Sequence, residues 1–122
     1  MADEPAIMFQ CINLERETTR RRGFEAQRSM LPGPAVVIEA IDGRTLDTAT
    51  AAALGYDRQA RLTHHHRHLT DNEIACAGSH RKALKAFLES PYEFGVVFED
   101  DVVLDPAFAE RIRGLVTSTR GW

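Results

Sequence analysis

The apolar run Phe94-Gly95-Val96-Val97-Phe98 leads straight into three consecutive acids, Glu99-Asp100-Asp101. A short apolar segment bounded by polar residues reads as a buried β-strand. Carboxylates crowded at the end of such a strand repel one another. A fold tolerates them where a cation neutralises them or where they open into a crevice. In an open α/β sheet, ligands bind in the crevice outside the carboxyl ends of the strands. The triplet therefore predicts a metal-assisted site for a phosphate-bearing ligand such as a nucleotide. A plainer description also fits it, a solvated turn with a helix-capping acid, since acids are common at turns and helix starts.

The rest of the chain surrounds that strand with alternating elements. Ala6 to Ile12 is apolar almost throughout and reads as a strand covered on both faces, ended by Asn13 and Leu14. Glu15 to Met30 is charged and reads as a helix anchored by Leu14, Phe24 and Met30. Pro32-Gly33-Pro34 punctuates, and Ala35 to Ile41 is a second strand rich in β-branched residues. After the Asp42-Gly43 turn, Leu46 to Leu54 reads as a short helix closed by Gly55. Thr70-Asp71-Asn72-Glu73 is a capping box, so a helix is expected from Asp71 to about Glu89, with Ile74, Ala77, Leu84, Phe87 and Leu88 on its apolar stripe. His80 falls on that stripe. Ser90-Pro91 stops the helix, the Phe94–Phe98 strand follows, and Asp105-Pro106 is expected to start a last helix carrying Phe108, Ile112, Leu115 and Val116.

This alternation argues for a three-layer α/β/α fold, Rossmann-like, with a mostly parallel sheet. Right-handed crossovers then bring Asn13, Asp42 and the acid triplet to one edge of the sheet. A chain of 122 residues with 43% hydrophobic content can bury one modest core, so residues 1–122 are expected to form a single domain. The net charge of −3 gives no nucleic-acid signal. No apolar run reaches the length of a transmembrane helix. The acidic start Met1-Ala2-Asp3-Glu4-Pro5 carries no signal peptide. Cys11 and Cys76 lie far apart and form no CxxC pair, which points to free thiols in a reducing compartment. A cytoplasmic location is expected, extending to the inner face of the membrane.

Four segments in order are similar to glycosyltransferase family 25: Ile12-Asn13-Leu14-Glu15-Arg16 with Arg20-Arg21 behind it; Ala40-Ile41-Asp42-Gly43; Leu69 through Ala77 with Ser79-His80; and Val97 through Val102. This family includes bacterial enzymes that add sugars to lipooligosaccharide and relatives that glucosylate or galactosylate other acceptors. The resemblance implies a metal-assisted transferase of the GT-A type, moving a sugar from a nucleotide-sugar donor, expected to be UDP-linked, to a saccharide acceptor. It implies Mn²⁺ or Mg²⁺ at the triplet, with Asp101 and Glu99 as metal ligands, Asp100 and Asp101 as the catalytic pair, and Asn13, Arg16, Asp42 and Glu99 around the nucleotide. This chain has Asn72-Glu73 where the family usually shows a glycine-glutamate pair, and Ala75-Cys76 where it shows Gly-Cys. It is also about half as long as a usual catalytic domain of the family, so a donor-binding part without the acceptor side is expected, with weak turnover alone and a homodimer covering its open surface.

Several residues have ordinary explanations beside these. Glu73 is accounted for by the capping box, His80 by a hydrogen-bonded core position, and Cys76 by packing. Arg20, Arg21 and Arg22 read as a solvated helix face, whereas Arg16 follows a strand end and can face a diphosphate. His64-His65-His66-Arg67-His68 lacks a carboxylate or cysteine at ligand spacing and reads as an exposed loop. The alternative to a transferase is a catalytically inactive module that binds a nucleotide-sugar. A receiver-like phosphate domain is disfavoured, because its acid pair would follow the first strand, which here ends in Ile12-Asn13.

Overall fold

A computed structural model describes residues 5–55 and 70–120. The His64–His68 tract and the loop read over Asp57 to Leu69 lie outside the described residues. Three strands, β1 (Ile7–Asn13), β2 (Ala35–Glu39) and β3 (Phe94–Glu99), form a parallel sheet in the order β2-β1-β3. Four α-helices accompany them among the described residues: α1 (Thr18–Gln27), α2 (Thr48–Ala53), α3 (Asp71–Leu88) and α4 (Phe108–Thr119). The expected α/β architecture is the one observed. From β1 the chain moves to β2 on one side, then returns past β1 to β3 on the other. Crossovers of one hand running in opposite directions place their helices on opposite faces. Here α1 and α4 cover one face and α3 covers the other.

Strand alternation decides what each face buries. Ile7, Phe9 and Cys11 of β1 join Phe24 of α1, Leu31, Ala35, Leu104 and Val116 of α4 in one hydrophobic core, with Phe98 and Phe108 packed against it. Phe9 is fully buried, stacked on Phe98 with ring centroids 6.0 Å apart and edge-on to Phe108 at 6.2 Å. On the opposite face Gln10 donates from Nε2 to the Ala83 carbonyl of α3 at 2.9 Å. β1 is therefore covered on both faces, as its sequence indicates. β3 is only half-buried, because it is an outer strand of the sheet.

Element ends differ from the sequence expectations for identifiable reasons. β2 stops at Glu39 rather than Ile41. The Ala40 N–H makes the last bond to β1, at Asn13 O, and the Ile41 N–H is taken by Ser79 Oγ of α3. α1 is shorter than Glu15–Met30, because Leu14 to Glu17 forms a turn and Arg28–Met30 tightens into a 3₁₀ turn. α2 begins at Thr48 because Asp47 caps it, accepting from Thr50 N–H at 2.7 Å. Gly55 closes that helix at φ +84°, a left-handed conformation that disfavours side chains. Asp105 accepts from Ala107 N–H in a turn ahead of α4, so Ala107, not Asp105, occupies the cap position.

The capping box of α3 is present, with Thr70 Oγ1 accepting from Glu73 N–H at 3.1 Å. Of the expected stripe the helix fully buries Ile74, with Ala77 and Phe87 half-buried; the rest of its buried face is Ala75, Gly78, Ser79 and Ala83. Small residues dominate it because α3 lies close to the sheet and to the chain after β2. A Cβ on Gly43 would meet Asn72 at its backbone, 3.0 Å from Cα and 3.1 Å from N, so only glycine lets this turn sit against the start of α3. Leu84 and Leu88 face outward, at 55% and 80% exposure. On α4, Val116 is buried and Phe108 and Ile112 pack against the core, which leaves Leu115 as the exposed member of the expected apolar face. No helix among the described residues is long and apolar enough to cross a membrane.

Cys11 gives the fold a pH dependence. Burial above all, then the charges of Asp100 and Glu25, pushes its thiol from 9.0 up to about 12. Between those values the unfolded chain loses the proton and the folded chain keeps it, so stability falls as pH rises, while below pH 9 the contribution is fully present. Urea unfolding followed upward from pH 9 is expected to show a shallower decline in Cys11→Ala than in the native chain. Equal slopes would contradict the buried, protonated thiol.

Candidate functional site

An open cleft of about 280 Å³ lies beyond the carboxyl ends of β1 and β3, reached by residues from Ile12 to Arg20, from Ala40 to Gly43, from α3 and from the acid triplet. Its place follows from topology. In the order β2-β1-β3 the chain reverses direction across the sheet between β1 and β3, and that gap is where an open α/β sheet receives its ligand.

The triplet does not act as one block. β3 pairs Cys11 with Phe98 and Ile12 with Glu99. Phe98 thus points into the core with Phe24, while Glu99 points to the α3 face. Asp100 turns back toward α1. Its Oδ2 accepts from Asn13 Nδ2 at 2.8 Å, and its Oδ1 lies 3.5 Å from Arg20 Nη1. The Asn13 side chain is itself buried and also donates to Glu17 O at 3.1 Å. Asp100, with its side chain 10% exposed, is thereby held between the end of β1 and α1. Asp101 is exposed on the cleft and makes no hydrogen bond or ion pair among the described residues.

The segment after the triplet is clamped. Gln27 of α1 donates from Nε2 to Val102 O at 2.9 Å and accepts from Leu104 N–H at 2.6 Å. A side-chain amide that satisfies one donor and one acceptor of the same stretch fixes its path, and so the direction from which Asp101 is presented.

On the far wall, Arg16 pairs with Asp42, and Asp42 also accepts from Arg44 N–H at 2.9 Å. That N–H first, and then the Arg16 guanidinium, holds the Asp42 carboxyl below the usual carboxylate range. Asp42 is therefore an anion whose charge Arg16 already balances. Arg16 and Asp42 stand together on the cleft, while Asn13 lies behind it.

Two residues differ from their sequence reading. His80 is not a core histidine: its side chain is 42% exposed and its Nε2 lies 3.5 Å from Glu99 Oε1. Cys76 is exposed rather than packed, with Sγ 4.0 Å from the same oxygen. The helix is rotated relative to the stripe assumed from its large apolar residues, and the i, i+4 pair Cys76 and His80 faces the cleft. Arg20 is exposed, as its reading as part of a solvated helix face expects, and is in addition the partner of Asp100.

The exposed carboxylates fit a hard divalent cation. Such ions take oxygen ligands and are commonly held by one or two carboxylates, completed by water and substrate phosphate. Glu99 and Asp101 supply two carboxylates on one cleft, whereas both Asp100 oxygens are engaged by neighbours.

The family model described as glycosyltransferase family 25 (LPS biosynthesis protein) matches residues 7–120. Among curated proteins, the chain is 31% identical to a rat protein named "Probable inactive glycosyltransferase 25 family member 3", over 86% of this chain and 19% of that protein. It is 30% identical to human procollagen galactosyltransferase 2, over 86% of this chain and 17% of the relative. A glycosyltransferase 25 family member of Anopheles gambiae is 29% identical over 91% of this chain and 20% of its own length. The chain thus spans no more than a fifth of each of these relatives. No solved structure matches it.

Proposed function

Because the chain belongs to glycosyltransferase family 25, we propose that its cleft is the donor side of a transferase that takes a sugar from a UDP-linked nucleotide-sugar to a saccharide or lipooligosaccharide acceptor. The observation that carries this reading is the split of the triplet. All three acids line the cleft at the sheet's reversal point; Glu99 and Asp101 are exposed there, whereas the Asp100 carboxylate is tied back to Asn13 of β1 and Arg20 of α1. In this reading Glu99 and Asp101 would hold Mn²⁺ or Mg²⁺, which when bound stabilises negative charge on the departing diphosphate. Asp101 touches the reacting groups. Asp100 positions the turn that carries it, and Asn13 and Arg20 position Asp100. Arg16 faces the diphosphate, where a guanidinium matches phosphate geometry, and Asp42 approaches the ribose or base. For Arg16 to reach a diphosphate it must exchange part of its pairing with Asp42 for the ligand.

A second reading, a module that binds donor without transferring sugar, is favoured by the word "inactive" in the name of the rat relative. Self-association belongs to the same proposal, as a way to cover the outer edges of β2 and β3. Calorimetry with UDP tests donor binding: heat of binding is expected with Mn²⁺ present and none with a chelator. Equal binding in both, or binding in neither, would overturn the metal-assisted reading. Hydrolysis of a UDP-sugar by the same sample separates the enzyme from the inactive module.

A further inference from the structure

Between α3 and the end of β3, a thiol sulfur, an imidazole nitrogen and a carboxylate oxygen converge. Cys76 Sγ lies 4.0 Å from Glu99 Oε1 and His80 Nε2 lies 3.5 Å from that oxygen, with all three ligand atoms within 4.8 Å of one another. Two independent periodicities produce this. Cys76 and His80 are four apart on α3 and share a face, and strand alternation turns Glu99 toward that face. Tetrahedral zinc, about 2.3 Å from sulfur and about 2.0–2.2 Å from nitrogen and oxygen, separates its ligand atoms by about 3.3–3.6 Å. Two observed edges, 3.5 and 4.0 Å, approach those values, the third is within 4.8 Å, and rotations of the exposed His80 and Cys76 side chains can close the remainder.

We propose that Cys76, His80 and Glu99 form a binding site for a divalent cation of the zinc class. Sulfur and imidazole ligands select such an ion over magnesium or manganese, which prefer an all-oxygen set. Three protein ligands leave a fourth position for water or a ligand oxygen in the cleft that Asp101 also borders. Glu99 belongs to both this set and the all-oxygen set with Asp101. Zinc capture therefore withdraws Glu99 from the cation that would accompany a diphosphate, and zinc opposes donor binding. This last consequence rests on the donor-binding reading; the zinc site does not.

The histidines at 64, 65, 66 and 68 are a second source of imidazole on this chain and must be separated from the site. The test is calorimetric titration of Zn²⁺ alone into the full chain in which those four are replaced by alanine. About one equivalent is expected to bind, weakened by about tenfold or more in Cys76→Ser and again in His80→Ala, since even the outer-shell partners of metal ligands are worth that much. Cobalt offers a second readout: thiolate-to-metal charge-transfer absorption should appear with the parent and vanish in Cys76→Ser, while circular dichroism reports that the variant is folded. Zinc is also expected to shield Cys76 from a thiol reagent. Absence of Zn²⁺ binding once the four histidines are gone, or binding indifferent to Cys76→Ser, would overturn the site. In a further arm, zinc should weaken UDP binding in the presence of Mn²⁺ in the parent and not in Cys76→Ser. Equal weakening in both would overturn the sharing of Glu99. If UDP fails to bind at all, the donor reading falls and the zinc titration still decides the site.

Discussion

Asp101→Asn is expected to lower the affinity for UDP in the presence of Mn²⁺ by about tenfold or more, with folding stability changed by no more than about 0.5 kcal/mol. In the proposed reading the substitution keeps shape and removes one anionic ligand from a site lined by two exposed carboxylates, Glu99 and Asp101. Charge and ligand quality both fall, and a hard cation depends on both. The fold does not depend on this side chain, because Asp101 is exposed and makes no hydrogen bond or ion pair among the described residues. Calorimetry and urea unfolding on the same variant give both numbers. Unchanged metal-dependent affinity would remove Asp101 from the site. A large loss of stability would instead show that the side chain has a structural task.

The second large effect lies in the core. Phe9→Ala is expected to cost about 3–5 kcal/mol, the range for deleting a buried aromatic ring. Phe9 is 0% exposed on the central strand, stacked on Phe98 and edge-on to Phe108. Its removal opens a cavity beneath α1 and α4 and breaks two ring pairs. Backbone hydrogen bonds on both sides of β1 prevent the strand from collapsing into the gap. For a domain whose total stability is typically about 5–15 kcal/mol, much of the margin disappears. Urea unfolding should show a lower midpoint with an unchanged slope. A loss under about 1 kcal/mol would mean that the aromatic cluster can repack around alanine.

Where the sequence carried strong local chemistry, the fold could be read from it. The three apolar runs are strands, Thr70–Glu73 is a capping box, and the alternation of strand and helix gives a parallel sheet. What could not be read was rotation. The face that α3 buries was inferred from its large residues, yet close packing against Ile41, Leu54 and the sheet favours Ala75, Gly78 and Ser79 instead. That choice swings Leu84 and Leu88 outward and brings His80 and Cys76 to the cleft. Element ends escaped for a related reason. The Ile41 amide could have continued β2, but a side chain 38 residues later, Ser79, takes it. Gln27 carried no sequence signal at all, although its two bonds to the stretch after the triplet set the path of that loop. The different directions of Glu99 and Asp100, in contrast, were available from the two-residue period of a strand.

That two-residue period makes the cleft sensitive to chain length in a way that composition does not reveal. Deleting or inserting a single residue between the registered pair Ile7–Phe94 and the turn at Asp100 preserves every acid, yet reverses which of them looks at α3 and which at α1. Phe98 would leave the aromatic cluster in the same stroke. Changes in the length of β3 should therefore be tolerated only in even steps or when absorbed by a bulge. Among relatives, gaps are expected to gather in the connections and to stop short of this strand.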